Sequence, residues 1–288
     1  MGIYSGVTDK AHRVHAAYIG VGGRARKVKV VYAGVDGKAR LIWPAFTVDP
    51  VFANNSWTTI GKAVEHDLVP ESWKIGDLKP LTLTTGEVIT MQIYGIDHDD
   101  LAAGGKARFT LGMRSVLPEL RQTNPVRGGE GTHTDSAIYA WLTGAFWETL
   151  PGDFKAILKP VIKRTGAGGM STELLEQALT LFLFSGAEIA GGAPAINIDG
   201  EGHQYPVFTS VLATRIKTAE GTATPNRNWW TRSPRAANLG QFSVIITAGA
   251  LSADNPDSFP SSSQPGRFLP TTQTALAASA LVVVSDEH

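Results

Sequence analysis

The 288-residue sequence contains no cysteine. That excludes a disulfide scaffold, a thiolate zinc site, an iron–sulfur cluster and a cysteine nucleophile. Charge is scarce as well. Asp, Glu, Lys and Arg make up 18% of the chain, against about 25% in ordinary soluble domains. The 26 basic and 26 acidic residues cancel, so no global field draws the chain to nucleic acid or to an anionic membrane. Long apolar runs are missing. The longest, at 179–184 and 280–284, fall far short of the ~20 residues that cross a bilayer. Met1 to Gly6 lack the basic-then-apolar layout of a secretory signal. The expectation is a chain made soluble in the cytoplasm, with no nucleic-acid partner and no membrane insertion. Its 43% hydrophobic residues, 31 glycines and 16 prolines suit one substantial core, a small second module and many turns.

The first 43 residues repeat. Tyr4, Tyr18 and Tyr32 are spaced by 14, and so are Gly6, Gly20 and Gly34, Val7, Val21 and Val35, and Ala11, Ala25 and Ala39. Each unit predicts a hairpin, with Thr8-Asp9, Gly22-Gly23 and Asp36-Gly37 at the turns. A unit this short cannot bury a face alone, so it must stack on its neighbours or on another chain. Arg24, Arg26, Lys38 and Arg40 lie here, and the basic surplus leaves the remaining 245 residues net acidic. Two readings fit: a solvated edge that resists aggregation, or a docking module in which Tyr4, Tyr18, Tyr32, Arg24, Arg26, Lys38 and Arg40 meet a partner. The second is preferred. Residues 44–55, with Pro44, Pro50, Asn54 and Asn55, read as a linker.

From residue 52 the pattern predicts an α+β domain reaching about 272, followed by a tail at 273–288. Ser56 caps a helix with Trp57, Ile60, Ala63 and Val64 on one face, ended by Pro70. Leu81 and Leu83 alternate toward Thr85-Gly86, and Val88–Ile96 returns as the second half of a hairpin. A strand follows near Phe109–Met113. Helical spacing recurs at 135–149 and again at 153–163, the latter capped by Gly152-Asp153. Leu179–Phe184 reads as one buried strand, and Trp229-Trp230 and Phe242–Thr247 as two more. Loops are expected at 164–172, 190–206, 217–228 and 250–266. In the tail, Leu281–Val284 could add a strand in cis or to a neighbouring chain.

Several ordered motifs carry a family resemblance: Trp57-Thr58-Thr59-Ile60, Trp73-Lys74-Ile75-Gly76-Asp77, Ile96-Asp97-His98-Asp99-Asp100-Leu101, Ala140-Trp141-Leu142, Leu181-Phe182-Leu183-Phe184-Ser185 with Glu188, and Trp229-Trp230-Thr231-Arg232-Ser233-Pro234. Together they resemble the DUF6273 type of domain over about 52–272. The resemblance implies a C-type-lectin-like architecture of the kind seen in phage tail and receptor-binding proteins. The 14-residue repeat also looks like one at the start of phage structural proteins. Tyr139 stands where the family has a basic residue, and the family's closing Pro-x-Phe is altered to Gly266-Arg267-Phe268-Leu269-Pro270.

The residues give little sign of catalysis. The seven histidines show no His-x-x-x-His pair. His98-Asp99-Asp100 is the best local cluster, read as a loop in which Asp99 caps and His98 makes hydrogen bonds. Glu130, Asp135 and Glu148 have no fixed spacing for glycosidase chemistry, and Gly-x-Ser-x-Gly, Gly-x-Gly-x-x-Gly and Walker motifs are absent. Formylglycine-generating enzymes share the implied fold but need cysteines. Asp254-Asn255-Pro256-Asp257 could bind calcium or simply form a turn. Adjacent strand residues face opposite sides, so at least one of Trp229 and Trp230 belongs to the core, and Arg232 is expected to pair with Glu188 or Glu201.

The sequence therefore points to a bacteriophage virion protein, not an enzyme, with no cofactor and no metal. Residues 1–43 would attach it to other virion proteins or oligomerise it, as a trimer by analogy. Residues 52–272 would bind a host-surface glycan or protein through Asn226, Arg227, Asn228, Trp230, Asp254, Asn255 and Asp257. A purely structural head, collar or baseplate component and a glycan-cleaving virion enzyme are the alternatives.

Overall fold

The computed structural model describes residues 4–7, 10–13, 18–28, 31–35, 38–43, 46–118, 121–124, 131–192, 199–221, 223, 226–235, 241–254 and 277–281. They form a mixed α+β chain of short helices and small antiparallel sheets. Three strand pairs come first: β1 (Tyr4–Val7) with β2 (Lys10–Arg13), β3 (Tyr18–Val21) with β4 (Arg24–Lys27), and β5 (Val31–Val35) with β6 (Lys38–Trp43). Their registers repeat with the sequence. Val7 faces Lys10, Val21 faces Arg24 and Val35 faces Lys38 across two-residue connections. Gly22 and Gly23 have φ of 60° and 77°, the left-handed pair that a type I′ turn requires. The other two expected turns lie outside the described residues.

Helix α1 (Trp57–Glu65) starts where Ser56 Oγ accepts the Thr59 N–H at 3.0 Å. It buries Trp57, Ile60, Ala63 and Val64 as its apolar spacing requires. Strands β7 (Leu78–Thr82), β8 (Val88–Ile96) and β9 (Phe109–Met113) then build a meander. A helical stretch runs from Ala137 to Thr149: α2 (Ala137–Trp141), a π-helical turn (Leu142–Phe146) and α3 (Trp147–Thr149). Its buried residues Ile138, Leu142 and Phe146, continued by Leu150, recur every four positions. In a pure α-helix such a row drifts by about 40° per step. The wider π turn takes up that drift and keeps the row on the core.

The expected helix over 153–163 is shorter than its spacing implied. Only α4 (Gly152–Lys155) is helical, and Asp153 Oδ1 accepts the N–H of the adjacent Phe154 rather than capping from outside. Pro160 disfavours helical backbone in the residue before it, and the β-branched Val161 and Ile162 open strand β10 (Val161–Gly166). β10 pairs with β11 (Leu174–Leu179), a strand the sequence pattern did not announce. The expected single strand over 179–184 breaks at Thr180: Leu179 ends β11, and β12 (Leu181–Phe182) joins a different sheet. Helix α5 (Gly186–Ala190) follows. Within the expected loop 217–228, β13 (Lys217–Thr218) pairs with β14 (Asn226–Arg227). β15 (Trp229–Pro234), β16 (Phe242–Ile245) and β17 (Leu251–Asp254) form a three-stranded sheet, β17 standing where a loop was expected.

Strand β18 (Ala277–Leu281) lies in the interior of the largest sheet, whose order is β12-β18-β9-β8-β7. It pairs with β9 on one side and β12 on the other. The tail thus supplies a strand in cis, starting before the expected Leu281. Both faces of this sheet are covered. Phe109, Leu111, Met113 and Leu181 enter one hydrophobic cluster with α1, Phe146 and Phe154, while Tyr94 and Phe182 enter a second with Phe184, Tyr205 and Phe208.

Candidate functional site

Strand β10 alternates as strand geometry demands. Val161, Lys163 and Thr165 are buried, whereas Arg164 is exposed. A lysine on the inward face needs partners for its charge, and Lys163 has three. Its Nζ donates to Asp99 Oδ1 at 2.6 Å, to Glu188 Oε1 at 2.7 Å and to the Tyr205 hydroxyl at 2.7 Å. All three ammonium protons are committed. Tyr205 passes its own proton to Asp99 Oδ2 at 2.7 Å, and Thr110 donates to the same oxygen.

Glu188 is aimed by local sequence. Ser185 caps α5, accepting the Glu188 N–H at 3.0 Å, and Glu188 Oε2 accepts the Ser185 N–H at 2.9 Å. This capping box turns the carboxylate toward β10 and β15. From β15, Arg232 grips it with two bonds: Nη1 to Oε2 at 2.5 Å and Nη2 to Oε1 at 3.0 Å. The guanidinium also donates to Thr165 Oγ1 at 3.0 Å, Leu183 O at 2.9 Å and Glu201 O at 2.8 Å. The expected pairing of Arg232 with Glu188 is present. Glu201 meets Arg232 through its backbone carbonyl. Its own carboxyl accepts the Gly166 N–H at 2.8 Å and contacts the Ser233 hydroxyl.

Electrostatics separates the three carboxyls. Burial alone would raise Asp99, but the Lys163 ammonium and the hydrogen bonds it receives hold it below the ordinary value. Burial likewise works against Glu188, yet Arg232 and Lys163 hold it below 4.5. Glu201 goes the other way. Burial outweighs Arg232 and its hydrogen bonds, and its pKa rises above 4.5. Asp99 and Glu188 are the carboxyls that face the two cations, Lys163 and Arg232. The network is closed on itself and ties β10, α5, β15 and the 200–205 loop together.

A cleft of about 360 Å³ opens over this network. Asp99, Lys163, Glu188 and Glu201 form its buried floor; His98, Asp100, Arg164, Glu176 and His203 reach its rim. Asp97 turns the chain into the cleft with φ of 50°. His98 stacks on Tyr205 with ring centroids 4.1 Å apart, its Nε2 3.4 Å from Gln204 O and its Nδ1 3.3 Å from Asp99 Oδ1. Asp99, expected to cap a loop, is instead a member of the buried network, because Lys163 and Tyr205 reach it from distant segments. Gly202, with φ of +137°, passes so close that a Cβ would stand 2.8 Å from Glu188 Cγ. Rim pairs Lys106–Asp100 and Arg164–Glu176 are exposed and contribute little. Among the described residues no group of three His, Asp or Glu is arranged to hold a metal.

The residues expected to contact a ligand lie elsewhere. Trp230 is 1% exposed in the first hydrophobic cluster, and its indole N–H donates to Arg121 O at 3.0 Å. It is core, not a contact residue, because β15 is covered on both faces. Asn228 is buried too, its Oδ1 accepting the Thr247 N–H at 2.8 Å. Asn226 is exposed and donates to Thr247 O at 3.1 Å; Arg227 is half-buried beside it on β14. Asp254 ends β17, while Asn255 and Asp257 lie outside the described residues. Tyr18, Arg24 and Arg26 are exposed on β3 and β4. Tyr4, Tyr32, Lys38 and Arg40 sit on β1, β5 and β6. Asp135 Oδ2 accepts the Thr132 N–H at 3.0 Å just before α2, ordinary capping. Lys163, Tyr205 and His203 had no signal that singled them out.

Residues 105–258 match the family model of a domain of unknown function, DUF6273. The chain belongs to the DUF6273 family. No curated protein and no solved structure matches it. The DUF6273 match is narrower than the 52–272 span of the resembling motifs. It contains Lys163, Glu188, Glu201, Tyr205 and Arg232, and Asp99 lies just outside it.

Proposed function

We propose that this is a bacteriophage virion protein that attaches to the particle through residues 1–43 and displays its DUF6273 domain to a host-surface glycan or protein. The carrying observation is the state of the second hairpin. Residues 18–26 are exposed throughout, including Tyr18 and Ile19 at 56% and Val21 at 46%. An isolated two-stranded hairpin is marginal in water, and this one leaves its apolar side chains there. A partner surface would complete it, and the 14-residue repeat supplies the Tyr and Val positions three times. The display role draws support from the buried network, which makes a rigid scaffold beneath a polar cleft. A C-type-lectin-like architecture belongs to the same proposal, supported by the family motifs and the α+β class. Many copies on one particle would turn weak contacts into adhesion.

The test has two arms. A full-length Tyr18→Asp/Ile19→Asp/Val21→Asp variant is expected to fold and to be lost from assembled particles; normal incorporation would sink the attachment role. The purified chain is expected to bind host cells or their wall polysaccharide. Incorporation without any such binding would leave the purely structural reading, and release of reducing sugar from the wall would favour the enzyme.

A further inference from the structure

A second cavity of about 240 Å³ lies away from the charged cleft, lined by Tyr139, Thr143, Trp147, Ala178, Thr180 and Leu181. Three of these come from the helical stretch, again at every fourth position. The π turn at Leu142–Phe146 that keeps Ile138, Leu142 and Phe146 on the core keeps Tyr139, Thr143 and Trp147 in one row beside it. π turns of this kind are frequent at functional sites. Both aromatic rings are half-buried and held from behind. Tyr139 packs edge-on against His133, centroids 5.0 Å apart, and lies against the second hydrophobic cluster. Trp147 packs on the first cluster, with the Lys155 ammonium 5.5 Å from its ring centroid.

The polar groups of the cavity are hydroxyls. Thr143 Oγ1 gives its proton to Tyr139 O at 3.0 Å and keeps its lone pairs for an acceptor role. The Tyr139 and Thr180 hydroxyls have no hydrogen-bond partner among the described residues. Among the described residues no charged side chain lines the cavity. Flat apolar rings beside uncommitted hydroxyls match the two surfaces of a sugar: its C–H face and its hydroxyl edge. The space is below the ~300–1,000 Å³ typical of drug-sized sites, which fits one ring and is too small for a protein interface. Rigid Tyr and Trp side chains lose little freedom on contact.

We infer that the groove between the Tyr139–Trp147 row and Ala178–Leu181 binds one neutral pyranose unit of a glycan, stacked on Tyr139 or Trp147 and hydrogen-bonded to Thr143 and Thr180. This rests on the host-glycan reading above and gives it a site. The probes are methyl glycosides of glucose, galactose, rhamnose and N-acetylglucosamine, plus host wall polysaccharide, observed by saturation-transfer NMR with the full chain. At least one is expected to show transfer to its ring C–H protons. Trp147→Leu is expected to abolish that transfer and Thr180→Val to weaken it several-fold. Tyr139→Phe, which keeps the ring against His133, should also weaken it several-fold, with the thermal unfolding midpoint unchanged. Transfer that persists in Trp147→Leu and Tyr139→Phe, or no transfer from any probe, overturns the inference. Host-cell binding by the parent chain that survives both variants overturns the site and leaves the display role standing. Sugar transfer without host-cell binding does the reverse.

Discussion

Trp229 and Trp230 are consecutive in β15 and lie in different hydrophobic cores. Trp229 packs with Tyr205, Phe208 and Ile245, and Trp230 with Phe242, Val244 and the α1 side. Each indole N–H is satisfied, by Arg215 O at 3.0 Å and by Arg121 O at 3.0 Å. One strand therefore seams two cores. Trp229→Ala and Trp230→Ala are each expected to cost about 3–5 kcal/mol, read as a lowered midpoint in denaturant titration. A near-neutral Trp230→Ala would return that residue to the surface role that its sequence position had suggested.

Glu188 and Glu201 sit in one network with opposite pKa shifts, so their amides should behave differently. Glu188 is held below its unfolded value of 4.5. Its contribution is present above that pH and is lost as pH falls through the folded pKa. Glu188→Gln leaves Arg232 and Lys163 short of a partner and is expected to cost about 3–5 kcal/mol at neutral pH. Glu201 is raised. Its contribution is fully present below 4.5 and is lost as pH rises through the folded pKa. Glu201→Gln removes the titrating group while keeping an acceptor for Gly166 and a hydrogen-bonding amide beside the Ser233 hydroxyl. It is expected to lie within about 1 kcal/mol of the parent and to flatten the decline of stability on the alkaline side. Equal losses in the two variants would contradict the opposite shifts of Glu188 and Glu201.

The sequence made some of this legible. Local signals worked where neighbours in the chain decide the outcome: the Ser56 cap, the β7–β8 hairpin, Phe109–Met113, and the rule that consecutive strand residues diverge at Trp229 and Trp230. The Arg232 clamp could also be read, because a cation in a run of apolar and small residues demands a buried anion. Lys163 could not. Its partners Asp99, Glu188 and Tyr205 are 64, 25 and 42 residues away, and nothing near it shows which face of β10 turns inward. The helical spacing of Phe154, Ile157, Leu158, Val161 and Ile162 misled because Pro160 overrides it. Leu174–Leu179 has the composition of a helix and becomes a strand because β10 offers it a ladder.

His133 gives a second pH effect. It is fully buried, and neither ring nitrogen has a partner among the described residues. Burial first, and then the Arg232 charge, push its pKa from 6.5 down to about 3. The folded value is depressed, so stability present above 6.5 drains away as pH falls through this window. The slope is at most about 1.4 kcal/mol per pH unit. Between pH 6.5 and 5, where the Glu201 contribution acts alike on both proteins, urea midpoints of the parent are expected to fall relative to those of His133→Leu. Parallel curves would assign the acid loss to another group.

Gly202 and Gly86 both have positive φ, but their surroundings differ. An added Cβ at Gly86 meets nothing within 4 Å, whereas at Gly202 it meets the Glu188 carboxyl group. Gly86→Ala is expected to cost only backbone strain, about 1–2 kcal/mol. Gly202→Ala should cost clearly more and weaken protection of the Arg232 guanidinium protons from hydrogen exchange. Equal costs would show that the 200–205 loop yields without disturbing Glu188.

Strand β18 has a consequence for biosynthesis. Met113 leaves the ribosome 164 residues before Ala277, so β9 waits for the neighbour that finishes its sheet. At roughly 5–20 residues per second, that wait lasts on the order of ten seconds. During it the nascent chain carries an apolar strand with an open edge, the kind of segment that aggregates unless it is shielded.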